Sequence, residues 1–348
     1  MPPVPSHSYR ERVVPFEAAD GRPCNLIHVR GALEPRKGPV LLVHGAGVRA
    51  NMFRPPGQPT IVDALIEAGY DVWLENWRAS IDFPENPWTL DQAALYDHPA
   101  AVKRVVGETG WDRIKAVVHC QGSTSFLMAT VAGLTPGVTT VVSNAVSLHP
   151  VVPTLSRLKL RYGVRVFRYL SDYMNPQWGK HAPTAAARLI DLLVRLTHHE
   201  CDNAVCKHVS FTYGSGFPSL WSHEYLTPQT HEWIRDEFAF CPIAFFLQMT
   251  ASVEAGRIVA VEGKRELPND VLQRPPQTDA RMVFIAGEKN SCFLPESQVR
   301  SYDYFESLRR NYHALHVFPG YGHLDIWFGK NAHRDIFPIV VEELDKTT

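Results

Sequence analysis

The sequence predicts an α/β protein: a mostly parallel, doubly wound sheet with an inserted helical cap. Three observations carry that prediction. Short apolar runs alternate with helix-spaced segments over the first 150 residues. The strand rhythm stops between Pro150 and about Gln277, and resumes afterwards. Finally, an apolar run at residues 114–118 enters a sharp turn and then a helix of small and apolar residues at 123–132.

Taken in order, the buried parallel strands are expected at residues 39–43, 70–75, 114–118, 138–143, 281–286 and 313–318. Helices are expected at 61–68 and 90–108, and a closing helix at 331–344. Between them the spacing turns helical: Leu155, Leu158 and Leu160, then 186–196, then 233–249 with Pro242 interrupting it. Residues 267–278, which hold three prolines, look like a return linker. The expected organisation is therefore a sheet domain built from 1–150 and 278–348, with a cap at 151–277. A second independent domain is the alternative, disfavoured because the sheet pattern resumes.

The chain has 348 residues, 45% hydrophobic and 20% charged, as in a soluble globular protein. A net charge of −1 gives no electrostatic sign of nucleic-acid or membrane-surface binding, so neither is expected as a partner. Met1 to His7 lacks the charged and apolar regions of a secretory signal, and no 18-residue apolar run exists to span a membrane. Six cysteines spread over this length suggest free thiols in a reducing compartment, and the cytoplasm is the expected location.

The chemistry is expected where the central strand turns. Val118-His119-Cys120-Gln121-Gly122 has the shape of a nucleophile elbow, in which a strained strand-to-helix turn lifts one side chain above the sheet. That side chain is usually serine; here it is Cys120. A lone cysteine after an apolar strand is more often a small buried hydrophobe. Gly122, two residues on, and the following helix N-terminus favour a thiolate instead. Val118 stands where the elbow usually has glycine. The elbow reading requires the sulfur to stand exposed at the crest of the sheet, within reach of an imidazole.

His44-Gly45-Ala46-Gly47 ends the first clear strand, where this kind of site takes a backbone N–H for an oxyanion hole. Ala46 and Gln121 are the expected donors. The base is expected after the last strand, at His323 in Gly320-Tyr321-Gly322-His323-Leu324-Asp325; His313 and His316 fall inside the strand pattern. The residue that orients the base should follow the strand at 281–286. The position is held by Asn290, with Glu288 and Asp325 as alternative acids. A thiol ionises about seven decades more easily than a serine hydroxyl, so a neutral amide can suffice to fix the imidazole tautomer. The expected triad is Cys120, His323 and Asn290, with no cofactor.

His198-His199-Glu200-Cys201, with Cys206 and His208, matches no standard zinc spacing, and no metal site is expected there. Arg78 is expected to form a structural ion pair. The apolar stretch 240–249 is expected to pack the cap or to line an acyl pocket.

Residues 68–76, 96–100, 119–122 and 322–325 together resemble the α/β-hydrolase fold, and most closely its acid lipase (gastric lipase-type) family. The Cys201 and Cys206 pair is similar to that family too, and the chain also resembles the hydrolase-like segment joined to cholesterol-oxidase-type flavoenzymes. The resemblance implies an esterase or lipase acting on a small, lipophilic acyl substrate. That family has serine where Cys120 stands, aspartate where Asn290 stands and glycine where Val118 stands. Cys120-Gln121-Gly122 is also similar to the elbow of polyhydroxyalkanoate synthases, which implies an acyltransferase as the alternative. A non-catalytic binding protein on a hydrolase scaffold is the third reading.

Overall fold

A computed structural model describes residues 9–216 and 219–347. The Met1 to His7 stretch, read above for a secretory signal, lies outside the described residues. The strands in chain order are β1 (Arg10–Glu17), β2 (Pro23–Arg30), β3 (Pro39–Val43), β4 (Asp71–Asn76), β5 (Ile114–His119), β6 (Val138–Asn144), the short β7 (Tyr173–Met174) and β8 (Cys241–Pro242), then β9 (Arg281–Gly287) and β10 (Ala314–Phe318). Eight of them form one sheet in the order β1-β2-β4-β3-β5-β6-β9-β10. From β4 to β10 every pairing is parallel.

β3, β4 and β9 are buried along their whole length. β3 and most of β9 read as near-continuous apolar runs because helices cover both faces of a parallel sheet, while β4 also buries Asp71, Glu75 and Asn76. β5 sits in the middle, with Val118 beside Val43 of β3 and Ser143 of β6. This position, where glycine was the norm, is a fully buried valine next to a small serine.

Besides the two-residue β7 and β8, two strands of the large sheet are absent from the sequence reading. β1 and β2 form an antiparallel hairpin on the β4 edge. β1 buries only Val14 and carries Arg10, Glu11, Arg12, Pro15 and Glu17. Charge and proline are how an edge strand avoids pairing with other chains, and they erase the apolar signal.

Three expected helices are corrected. The run 90–108 divides into Leu90–Gln92, a wide π turn at Ala93–Asp97, and His98–Thr109. Pro99 has no N–H to donate into the preceding turn, and the wider turn accommodates it. The closing helix breaks at Ile336 into Ala332–Asp335 and Phe337–Asp345, with Pro338 unable to continue the ladder. The run 233–249 is not one helix. Pro228–Trp233 is followed by a 3-10 turn and β8, and Pro242 caps the start of Ile243–Ala255 rather than interrupting it.

Between β6 and β9 the chain leaves the sheet and forms helices, among them Thr154–Leu158, Ala185–Thr197, Ala204–Tyr213 and Ile243–Ala255. Leu189, Leu192, Leu193 and Leu196 on the second of these are exposed. No helix among the described residues is long and apolar enough to cross a membrane.

Candidate active site

The elbow is built from backbone geometry. β5 ends at His119 and the helix Cys120–Val131 starts at the next residue, with Cys120 at φ +54°. A non-glycine residue held there costs of order 1–3 kcal/mol, and such strain gathers at functional sites. Glycine supplies the necessary room at two positions. A Cβ on Gly122 would lie 2.0 Å from the His44 carbonyl oxygen, and one on Gly45 would lie 3.0 Å from the Cys120 Cβ. The helix end and the loop after β3 are thus pressed together around one sulfur.

The ring partners converge on the same point. The Cys120 sulfur and ring nitrogens of His119 and His323 lie within 4.8 Å of one another. Asn290 Oδ1 is 3.2 Å from His323 Nδ1. That amide oxygen also accepts the backbone N–H of Cys292 (3.0 Å) and of Phe293 (3.3 Å). Two backbone donors identify the atom as oxygen, so the His323 Nδ1 must carry the proton, leaving Nε2 as the basic nitrogen.

Neither alternative acid takes this place. Glu288 accepts the Gly320 N–H at 3.0 Å. Asp325 accepts the Gly322 N–H with both oxygens at 2.9 Å and the Ser222 N–H at 3.3 Å. Burial raises its carboxyl to about 6 against the pull of those donors. Neither hydrogen-bonds the His323 ring among the described residues. His313 accepts the Met282 N–H, and His316 pairs with Glu343. Arg78 is committed to Asp97 and Asp20.

The Cys120 thiol is held well below its usual value. Burial works against ionisation, but the Cys292 thiol, the charge and hydrogen bond of His323, and the Gln121 backbone N–H together outweigh it. His119 and His44 are driven the other way. Burial lowers both, His44 to about 3, so each is a neutral ring. His119 donates from Nδ1 to Asn144 Oδ1 at 2.6 Å. His44 Nδ1 lies 2.7 Å from the Gly45 carbonyl oxygen. Because the peptide is trans and planar, pinning that carbonyl aims the Ala46 N–H in the opposite direction.

The requirement that the sulfur stand exposed is not met in this conformation. Cys120 is 6% exposed, and helices from the inserted segment cover it. The cavity beside it measures about 30 Å³ and is walled by Gln121, Tyr213, Phe245, Phe246, Met249 and Cys292, among others. That is room for one or two waters, not for an acyl chain. A second apolar cavity of about 160 Å³ adjoins it, sharing Lys159, Thr212 and Phe246 as the common wall.

Three residues here had no signal in the sequence. Cys292 hydrogen-bonds the Cys120 sulfur, and that contact together with burial raises its own thiol well above normal. The Tyr213 hydroxyl is buried directly against Gly47, with the Cys241 thiol beside it and no nitrogen or oxygen partner among the described residues. Lys159 is half-buried, its ammonium is lowered to about 8 by desolvation, and it donates to the carbonyls of Phe211, Thr212 and Gly214. Each comes from an element far from the elbow in sequence, so only folding reveals it.

The α/β hydrolase fold family model matches residues 38–330, and the chain belongs to that family. The chain is 30% identical over 134 residues to sterol esterase 2 of Saccharomyces cerevisiae, which is 34% of this chain and 25% of that protein. It is 37% identical over 71 residues to gastric triacylglycerol lipase of Rattus norvegicus, which is 17% of this chain and 18% of that protein. The matched region thus spans about a quarter or less of these relatives. Among solved structures, a thermophilic esterase from Thermogutta terrifontis superposes with a TM-score of 0.54 at 15% identity, covering 96% of this chain and 98% of that one. The Pyrococcus furiosus esterase Pf2001 gives 0.52 at 13% identity, covering 98% and 94%. At such identities the likeness speaks for the fold.

Proposed function

We propose that this chain hydrolyses carboxylic esters or thioesters of apolar acyl groups through a thioester acyl-enzyme on Cys120. The observation that carries the reading is the line Asn290–His323–Cys120, in which backbone donors fix the amide oxygen and so leave Nε2 as the nitrogen that takes up and returns the thiol proton. Cys120 Sγ attacks the acyl carbonyl as the thiolate, its proton held on His323. The bond to the leaving alcohol or thiol breaks, and His323 returns that proton to it. Water then attacks the thioester with His323 as base, releasing the acid and restoring the thiol. The N–H groups of Ala46 and Gln121 hold the oxyanion, each such donor contributing roughly 3–4 kcal/mol in sites of this kind. The Tyr213 hydroxyl, buried against Gly47 of the oxyanion loop, adds a further donor.

Segment 151–277 acts as the cap. Its helix Ile243–Ala255 contributes Phe245, Phe246 and Met249 to the wall over the sulfur, and the adjoining apolar cavity receives the acyl chain once that wall parts. The relatives named esterases and lipases, and the exposed leucines of Ala185–Thr197, support a lipophilic substrate. Free thiols throughout the described chain fit a cytoplasmic setting. Transfer of the acyl group to an alcohol or amine uses the same residues, and product analysis with competing nucleophiles separates it from hydrolysis.

The closed cavity favours one rival, a non-catalytic binding protein. Incubation with an activated ester followed by mass spectrometry decides between them. An acyl adduct on Cys120 that clears with time is expected. Hydrolysis with Cys120 never modified overturns the thiol mechanism, and absence of turnover with ligand binding retained in Cys120→Ala favours the rival.

A further inference from the structure

A second cluster of sulfur and imidazole lies in the inserted segment, away from Cys120. Cys201, Cys206, His223 and His231 bring one ligand atom each to within 4.8 Å of one another. Cys206 Sγ is 3.3 Å from His223 Nε2. The two imidazoles stand at 88° with centroids 5.0 Å apart. His231 Nε2 is buried without a hydrogen-bond partner among the described residues. Two thiols and two perpendicular rings around one point, with an orphaned buried nitrogen, are unusual in a protein interior unless something occupies the centre.

We propose that these four residues bind a structural zinc ion. A tetrahedral zinc, at about 2.3 Å from sulfur and about 2.0–2.1 Å from nitrogen, spaces its donors by roughly 3.3–3.8 Å. The cluster needs to contract by no more than about 1.5 Å to reach that geometry. Two soft thiolates with two imidazoles select zinc over oxygen-seeking cations.

The surroundings are those of a held ligand set. Glu200 accepts the Ser219 N–H with both oxygens, at 3.1 and 3.0 Å. Ser219 Oγ donates to the Trp221 carbonyl at 2.9 Å and lies 3.3 Å from His223 Nδ1, leaving Nε2 as the free lone pair facing the sulfur. The Glu200 carboxylate is itself 3.8 Å from that Nδ1. A carboxylate behind a metal-bound histidine is the usual support of such sites. Asn203 holds the two halves together: its Oδ1 accepts the Cys206 N–H at 3.1 Å and its Nδ2 donates to the His231 carbonyl at 2.6 Å.

Cys201 and Cys206 have the C-x4-C spacing of zinc sites, but His223 and His231 are separated by seven residues, outside the usual three to five. The nearby histidines are used elsewhere. His208 pairs with Asp191 at 3.0 Å, His198 Nδ1 faces Thr197 and the Val194 carbonyl, and His199 lies 2.9 Å from the Leu196 carbonyl. The tie also bears on the first site. Leu220, between the two halves of the cluster, accepts the His323 N–H at 2.6 Å, and Ser222 donates to the Gly320 carbonyl at 2.7 Å.

The test is metal content of the full-length protein, purified without chelator or affinity metal, by plasma mass spectrometry. About one zinc per chain is expected, lost in Cys201→Ser and in His231→Ala and kept in Cys120→Ser. Glu200→Gln is expected to weaken zinc binding roughly tenfold in a chelator competition. If the ligand variants fail to fold, cobalt exchange into the parent protein serves instead, with the intense visible bands of tetrahedral thiolate-bound cobalt expected. A metal-free parent that takes up no zinc or cobalt, a mass showing a Cys201–Cys206 disulfide in that parent, or zinc retained in Cys201→Ser but lost in Cys120→Ser would each overturn the assignment.

Discussion

The molecule holds two sulfur–imidazole clusters, and they differ in ways that match the different work proposed for them. Around Cys120 there is a strained backbone, a helix N-terminus, a tautomer-fixing amide and a small cavity. Around Cys201 and Cys206 there are two thiols, two rings and a supporting carboxylate. A reacting site needs one activated nucleophile, a base with a free nitrogen and room for a substrate. A structural metal site needs four donors around one point and a shell that holds them. Residue types are almost the same in both; arrangement separates them.

The comparison breaks most directly at Cys120. Cys120→Ala is expected to lower kcat/KM on short activated esters by about 10⁴–10⁶-fold while leaving zinc content unchanged. Loss of zinc with activity intact would reverse the two assignments. Cys120→Ser is expected to be nearly as inactive, since Asn290 gives the base no carboxylate. The double variant Cys120→Ser/Asn290→Asp is expected to recover about 10²-fold or more over the single one, by the same logic that makes an aspartate-to-asparagine change so damaging to serine triads. A double variant no better than the single one would show that Asn290 does not orient His323.

Gly122→Ala tests the packing that builds the elbow. Its Cβ would meet the His44 carbonyl oxygen at 2.0 Å, so backbone must move. A loss of roughly 2–4 kcal/mol in denaturant unfolding is expected, against near-neutrality for a change at Gly107, where a Cβ meets nothing.

The pH dependence sharpens the electrostatic side. The Cys120 thiol is depressed, so its thiolate persists above the lowered pKa and is lost only as pH falls through it. Alkylation of Cys120, followed by mass spectrometry, is therefore expected to run at an almost constant rate from neutrality through the ordinary thiol range near ~8.5. A rate that climbs tenfold per unit up to that range would mean an unactivated sulfur. The smallest effect is expected from Tyr213→Phe, which removes one neutral donor and should lower kcat about tenfold with little change in stability, because that hydroxyl has no nitrogen or oxygen partner among the described residues and only a weak thiol contact with Cys241 to lose.

Much of the frame was legible because it is local. The central strands β3, β5 and β9 appear as largely apolar runs, since burial on both faces leaves few polar positions to hide the signal, and β10, half-exposed at the far edge, still keeps enough apolar residues to be read. The hairpin β1–β2 was missed because its exposed edge carries charge and proline. Prolines misled the helix boundaries: Pro99 widens a turn, whereas Pro242 starts a helix. The order of elbow, Asn290 and His323 along the chain was readable, but the cover over Cys120 was not. It depends on where helix Ile243–Ala255 comes to rest, more than a hundred residues from the sulfur.

Sequence alone determined six of the sheet's eight strands, the strand-to-helix turn at Cys120 and the residues proposed to serve it, because periodicity, glycine and proline act over a few residues. Tertiary structure decided which histidine meets which cysteine. His198, His199 and His208, close in the chain, are used elsewhere, while His223 and His231 arrive beside Cys201 and Cys206 from a different turn and helix. Contacts between distant segments are set by how whole elements pack, and no spacing along the chain records that packing.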